Sequence, residues 1–339
     1  MRAFVLLGPR EARVLDVEAP IAGPGQVVVD VHRVGVCGTD VEFFTGQMPY
    51  LHEGHAAYPL RLGHEWCGVV TTIGEDVGSD WIDRRVTGDT MLGCQSCERC
   101  RSGRQHVCAT RYEIGVRGGW PGALAEQLLV PVTALHALPE TVDDTAGAMV
   151  EPGSSALRAV LAAQLQPGKR VLIIGPGTIG ILSAQFALTT GAEVHIAGHN
   201  RDNLLVTENI GLDGSWTTDD LPPLAWDVVI DASNGTNVPR LALELVEPGG
   251  RLVFVGLAGE PSLIDSRSIA FKDVTAVGIL SGSPSLDGVI DHYAAGLDPR
   301  PLVAATVDLT RTADVLAGWR PEGAGIGPKI HVDPRITFS

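Results

Sequence analysis

An apolar run, Val171–Ile174, leads straight into Gly175-Pro176-Gly177-Thr178-Ile179-Gly180, and no other feature restricts the fold of this chain as much. Glycines in G-x-G-x-x-G spacing directly after a buried-type strand call for a strand, a tight turn and a helix. Gly175 permits the turn, and Gly177 lets backbone N–H groups approach a pyrophosphate. Gly180 allows the helix to pack closely on the strand. A helix starting at Thr178 and Ile179 would direct its positive end at the phosphates of a dinucleotide. The uncharged stretch from Val171 to Ala192 is long enough to raise the question of a membrane span. Its glycines, its proline, its hydroxyl residues and the Lys169-Arg170 pair before it fit strand, turn and helix better.

Around this motif the pattern alternates. Val171–Ile174, Glu193–Ala197, Asp227–Asp231 and Arg251–Val255 are short apolar runs, separated by helix-like stretches such as Ile179–Thr190 and Pro239–Val246. Val274–Leu280 reads as a last apolar strand. Strands alternating with helices imply a parallel, doubly wound sheet. The first 150 residues read differently. Gln26–Val34, Trp66–Ile73 and Ala123–Val130 look like strands between Gly, Pro and Asp turns. Thr141 to Leu165 turns helical and is interrupted by Pro152, which predicts two helices meeting near Glu151. Beyond about residue 290 the pattern is mixed and could return to the first domain.

The length of 339 residues suits two such domains. Lys and Arg total 25 against 40 for Asp and Glu, a formal charge of −15. That field opposes nucleic-acid backbones and anionic membrane surfaces as partners. The apolar stretch Ala3–Leu7 is too short for a signal-peptide core, so the expectation is a cytoplasmic protein.

The end of the second strand of the alternating region bears on which dinucleotide is bound. A site for NAD usually carries an acid there, holding the ribose 2′-hydroxyl. Here the strand ends in Gly198-His199-Asn200-Arg201, and Asp202 comes several residues too late. Gly198 would leave room for a 2′-phosphate, and Arg201 and His199 would pair with it. NADP is therefore favoured over NAD.

Six cysteines would allow three disulfides, but four of them cluster as C-x2-C-x2-C-x7-C: Cys94, Cys97, Cys100 and Cys108. Four thiolates in one short loop close a tetrahedron around Zn²⁺ and leave no position for a substrate, which is the chemistry of a structural site. An iron–sulfur cluster is the competing reading of the same spacing. Cys37 in VGVCGTD and His64-Glu65 in LGHEWCG supply a thiolate, an imidazole and a carboxylate, suitable ligands for a catalytic zinc with an open position. Glu151, beside Pro152, is a fourth candidate, with an ordinary first-turn helix residue as the alternative.

Read together and in order, VCGTD, GHE, the four-cysteine loop, the Glu151-Pro152 pair and GxGxxG resemble the zinc-containing medium-chain alcohol and polyol dehydrogenase family over essentially the whole chain. The motif pattern is most similar to its polyol and glucose dehydrogenase branch. The resemblance implies an α/β protein with a β-rich GroES-like catalytic domain, 1–152 with 290–339, and a Rossmann cofactor domain, 153–289. It matches Cys37 and His64 to catalytic zinc ligands. It matches Glu65 to an acid that ligates the metal or comes close to it, and Glu151 to the third protein ligand position. Thr39 matches the hydroxyl that receives the alcohol proton, and Asp40 an acid beneath the metal that orients His64. Where a relay histidine is common in the family, this chain has Glu42, which would serve the proton route instead. Cys67 matches no metal role and reads as a small buried residue. His52 and His55 read as a solvated or substrate-contacting loop, and Trp66 and Trp120 as pocket wall or core.

The implied activity is a zinc-dependent transfer of hydride between a secondary alcohol, of polyol, sugar or cyclitol type, and NADP(H). Two zinc ions per chain, one catalytic and one structural, are implied. Further expectations are a cleft at the C-terminal ends of the parallel strands, a small alcohol or carbonyl partner, and a homodimer or homotetramer. Four other readings compete: an NAD-linked alcohol or polyol dehydrogenase, a metal-free quinone reductase of the same superfamily, a nucleotide-binding member without catalysis, and a zinc-ribbon nucleic-acid binder.

Overall fold

Valine at five of ten positions favours the strand conformation of Gln26–Gly35, and Val27, Val28, Val29, Val31 and Val34 are all buried. In the computed structural model, which describes residues 1–336, this strand sits at the middle of a sheet. The path runs Val303–Asp308, Lys329–Asp333, Gln26–Gly35, Glu65–Ile73, Arg85–Gly88 and Leu135–Ala137. Gln127–Pro131 pairs with a second stretch of Gln26–Gly35. The C-terminal strand thus returns to the N-terminal region, with His331 opposite Gly35 and Val332 opposite Val34. Phe4, Phe43, Leu62, Trp66, Leu124 and Leu128 form the apolar core beside this sheet. Each such buried side chain contributes roughly 2–3 kcal/mol of transfer free energy.

The described residues divide into two compact units, Met1–Glu151 with Leu286–Ser339, and Pro152–Ser285. The second unit holds a six-stranded sheet, wholly parallel, in the order Gly214–Thr217, Glu193–Gly198, Arg170–Ile174, Trp226–Asp231, Val246–Phe254 and Thr275–Gly278. The chain order reverses between Arg170–Ile174 and Trp226–Asp231, which makes that crevice the switch point of a doubly wound sheet.

The glycine turn adopts the geometry its spacing calls for. Gly175 has φ 110°, outside the reach of ordinary L-residues. A Cβ on Gly180 would run into the carbonyl oxygen of Gly175, whereas Gly177 faces open space. The helix Thr178–Leu188 begins directly after it. No helix among the described residues is long and apolar enough to cross a membrane.

Three local expectations differ from the structure. Gly214–Thr217 is a strand that the sequence conceals, because Gly, Ser, Trp and Thr carry no apolar alternation and only sheet pairing defines it. The strand expected over Ala123–Val130 is confined to Gln127–Pro131. Ala123 and Leu124 instead donate their N–H groups to Gly63 and Leu62, pinning the turn that precedes His64. The two helices at residues 141–165 are Asp144–Ala148, capped by Asp143 accepting from the Ala146 N–H at 2.8 Å, and Val150–Ala163. The break falls at Met149, and Pro152 lies in the first helical turn, where a missing N–H costs nothing.

Candidate active site and metal centres

The cysteine loop is built to hold its four sulfurs together. Cys94 and Cys100 are 3.9 Å apart, Cys97 and Cys100 3.5 Å, and Cys97 and Cys108 3.9 Å, sulfur to sulfur. Four thiolates on Zn²⁺ at about 2.3 Å would stand about 3.8 Å from one another, so the donor set fits this ion. Gly93 is required, since a Cβ there would come within 2.6 Å of Cys100 Sγ. Gln95 takes the left-handed conformation, φ 59°, that lets the chain fold back. Ser96 Oγ and the Cys97 N–H both donate to Cys94 Sγ, at 3.4 Å each. These bonds draw the Cys94 thiol down to about 5, with the Ser96 hydroxyl the main cause.

The second cluster is assembled from distant segments. Cys37 ends the loop after Gln26–Gly35 and starts the helix Gly38–Thr45, while His64 and Glu65 open the strand Glu65–Ile73. One donor atom from each of Cys37, His64 and Glu65 lies within 4.8 Å of the others. Asp40 lies on the helix Gly38–Thr45, fully buried, and ties the pieces together. Its Oδ2 accepts from the Cys37 N–H at 2.9 Å, its Oδ1 accepts from the Gly63 N–H at 3.3 Å, and His64 Nδ1 stands 3.6 Å from Oδ1. Burial pushes the Asp40 carboxyl up. Burial alone would lower the His64 imidazole, but Asp40, Cys37 and Glu151 outweigh it and hold His64 well above its ordinary value. Nδ1 faces Asp40, which leaves Nε2 for a metal.

Glu65 has a partner that sequence reasoning missed. Lys329 Nζ donates to both carboxylate oxygens, at 2.8 and 2.7 Å, and to the Val36 carbonyl at 3.0 Å. The pair is almost wholly buried. A Cβ on Gly35 would run into Glu65 Oε2, so glycine there makes room for the carboxylate. KIHVD alternates polar and apolar residues like a half-exposed strand, so the pattern gives no sign that every residue of the run, Lys329 included, is buried. Glu151 stands outside the group of three. Thr90 Oγ1 donates to its carboxylate at 3.5 Å, and burial first, then Glu65 and Asp89, push its carboxyl up to about 7. Cys37, His64 and Glu65 bring a thiol, an imidazole and a carboxylate together, a mixed donor set that suits a zinc ion.

Thr39 and Glu42 lie on the helix Gly38–Thr45. Glu42 is half-buried, and burial pushes its carboxyl up. His52 Nε2 meets the Gly46 carbonyl at 3.0 Å. His55 packs edge-on against Tyr50 and meets Arg117 at 3.4 Å. Both histidines therefore fasten their own loop. Cys67 is fully buried, with its thiol on the Asp144 carbonyl, as a small strand residue should be. Trp66 belongs to the core.

At the tip of Glu193–Gly198 the reason given above for Gly198 needs correction. A Cβ there would meet Pro176 Cγ at 2.8 Å, so glycine is required by the phosphate turn itself rather than by a 2′-phosphate. Asn200 Oδ1 accepts from the Asn203 N–H at 3.0 Å and caps the following turn. Arg201 is exposed and pairs loosely with Asp220, 3.6 Å away. No carboxylate occupies positions 198–201.

Two family models match the chain. One, described as the alcohol dehydrogenase GroES-like domain, covers residues 23–140, and the other, the zinc-binding dehydrogenase, covers residues 178–295. The chain is 30% identical to the L-galactonate-5-dehydrogenase of Escherichia coli K12 over 303 residues, 84% of each chain. Among solved structures it superposes with a TM-score of 0.89 on the alcohol dehydrogenase RspB of E. coli CFT073, in complex with NADH. That match has 26% identity and covers 98% of this chain and 99% of the other. A zinc-binding dehydrogenase of Sinorhizobium meliloti bound to NADP gives 0.88 at 27% identity, with the same coverage. The chain belongs to the zinc-containing medium-chain dehydrogenases and is an NAD(P)-dependent alcohol or polyol dehydrogenase with a structural four-cysteine zinc site and a catalytic Cys/His/Glu site.

Proposed function

We propose that this enzyme oxidises a secondary alcohol of polyol, sugar or cyclitol type with NADP in preference to NAD. The observation that carries the cofactor choice is the tip of Glu193–Gly198, which has no acid and offers Arg201 held only by an exposed ion pair. Such a pair is worth ~1 kcal/mol at most, so a 2′-phosphate competes easily for the guanidinium. Gly175, Gly177, Thr178, Ile179 and Gly180 would cradle the pyrophosphate, and His199 and Asn200 would border the ribose.

Cys37 and His64 would hold the catalytic zinc with Glu65, and Glu151 would stand by as a further carboxylate. When bound, zinc supplies Lewis-acid stabilisation to the alcohol oxygen as negative charge develops there. Asp40 holds His64 in the tautomer with Nε2 free. Thr39 takes the hydroxyl proton of the substrate, and Glu42, half-buried and raised, passes it towards water. Chain segments 1–152 and 290–339 would form the catalytic domain and 153–289 the cofactor domain. The strand Thr275–Gly278 closes one edge of its sheet with three of its four residues exposed, next to exposed Phe271, which fits a contact between subunits of a homo-oligomer in the cytoplasm.

Titration of the zinc-loaded enzyme with NADPH and NADH, followed by nicotinamide fluorescence, tests the cofactor choice. NADPH should bind at least tenfold more tightly, and Arg201→Ala should erase the difference. Tighter NADH binding would overturn it.

A further inference from the structure

The unit Met1–Glu151 contains a pocket of about 200 Å³ that shares no lining residue with either metal cluster. Its walls are mostly apolar, with Val5, Pro59, Leu60, Val116 and Trp120 among the lining residues. The Trp120 indole N–H is already spent on the Leu129 carbonyl at 3.0 Å, so the ring brings no free donor. One charged residue lines this space, Arg61.

Arg61 differs from the other half-buried arginines of its unit. Arg33 is paired with Asp333 at 2.6 Å, Arg85 with Asp144 at 3.0 Å and Arg111 with Glu113 at 2.8 Å. Arg61 has no ion pair and no side-chain hydrogen bond among the described residues. Burial, with no opposing charge, lowers its pKa from the usual value. A half-buried cation that no carboxylate of the protein answers is open to an anion from solution.

We propose that this pocket binds a small organic carboxylate, its oxygens on the Arg61 fork and its hydrocarbon body against Leu60, Val116 and Trp120. A planar guanidinium matches a carboxylate with two parallel hydrogen bonds. The apolar walls reward a hydrocarbon body, which inorganic phosphate lacks. The net charge of −15 also opposes a dianion more than a monoanion. A volume of about 200 Å³ lies below the range of drug-sized sites, roughly 300–1,000 Å³, and suits a ligand of benzoate size. The site shares no residue with the metal ligands or the glycine turn assigned above.

The test uses the zinc-loaded enzyme and two probes, benzoate and inorganic phosphate, by titration calorimetry. Benzoate should bind with one site per chain and at least tenfold more tightly than phosphate. Arg61→Met should weaken benzoate at least tenfold, and Arg61→Lys, which keeps the charge and loses the fork, should fall between. Without ligand, Arg61→Met should melt at or above the wild-type temperature, since it removes a half-buried charge and breaks no ion pair. Retention of benzoate binding in Arg61→Met would place the carboxylate on the catalytic zinc and overturn the proposal. So would equal affinity for phosphate, no binding of benzoate at 50-fold excess, or a lower melting temperature for Arg61→Met.

Discussion

The two metal clusters of this chain are opposites in construction. The four-cysteine set spans only Cys94 to Cys108, sits in a loop with Cys94 exposed, and is held by N–H and O–H donors to sulfur from its own neighbours. The other set joins Cys37 to His64 and Glu65 from separate elements, relies on Lys329 from the far end of the chain, and is largely buried. A site made by local spacing needs only its loop. One made by packing needs the whole sheet in register, including the pairing that puts Gly35 between His331 and Glu65. The loop closes its coordination with four sulfurs and so serves stability. The packed site mixes three donor types and so is suited to chemistry.

The largest effects should separate those roles. Cys37→Ala or His64→Ala should lower turnover by on the order of a thousandfold or more while the cofactor still binds and one zinc per chain remains. Cys100→Ser should do the reverse, losing the structural zinc and lowering the melting temperature, with activity retained in the cold by molecules still folded. Zinc analysis beside activity reads both. Equal loss of activity from either substitution would erase the distinction.

Thr39→Val should reduce kcat by roughly a hundredfold or more with both zinc ions in place, since it removes a proton acceptor and no ligand. An unchanged kcat would take Thr39 off the proton path.

Lys329→Met sharpens the contrast differently, because it leaves the Glu65 carboxylate buried and unpaired. Breaking such a pair costs about 3–5 kcal/mol. The loss should be largest in zinc-free protein and shrink once zinc is loaded, as the ion replaces the missing positive charge. Denaturant unfolding with and without zinc measures it, and Glu65→Gln in the same background should restore stability. If zinc makes no difference to the cost, Glu65 is a structural partner of Lys329 rather than a ligand.

The same contrast explains what could be read from the residues alone. The cysteine loop and the glycine turn are local, so spacing reports them directly. Cys37, His64 and Glu65 were found as suitable donors, yet nothing in their spacing brings them together; the family resemblance supplied that. Lys329 lies 264 residues from Glu65 and was missed. Gly214–Thr217 was missed because its conformation comes from its neighbour strand. Gly198 was noticed for a ligand when its constraint is Pro176, a contact that only the folded turn creates.

The smallest expected effect tests whether the loop is organised before its metal arrives. In zinc-free protein Cys94 is drawn down to about 5 by the Ser96 hydroxyl and the backbone N–H groups of Ser96 and Cys97, whereas burial pushes Cys100 up to about 12. Only the thiolate reacts with iodoacetamide. The thiolate form fills as pH rises through each value, so alkylation of Cys94 should level off above about pH 6, while Cys100 should still be accelerating at pH 9. Mass spectrometry of peptides after brief exposure distinguishes the two sites. Added zinc should protect both. Identical pH profiles would mean that the loop is unformed without its ion and that the hydrogen bonds to Cys94 Sγ follow metal binding rather than prepare for it.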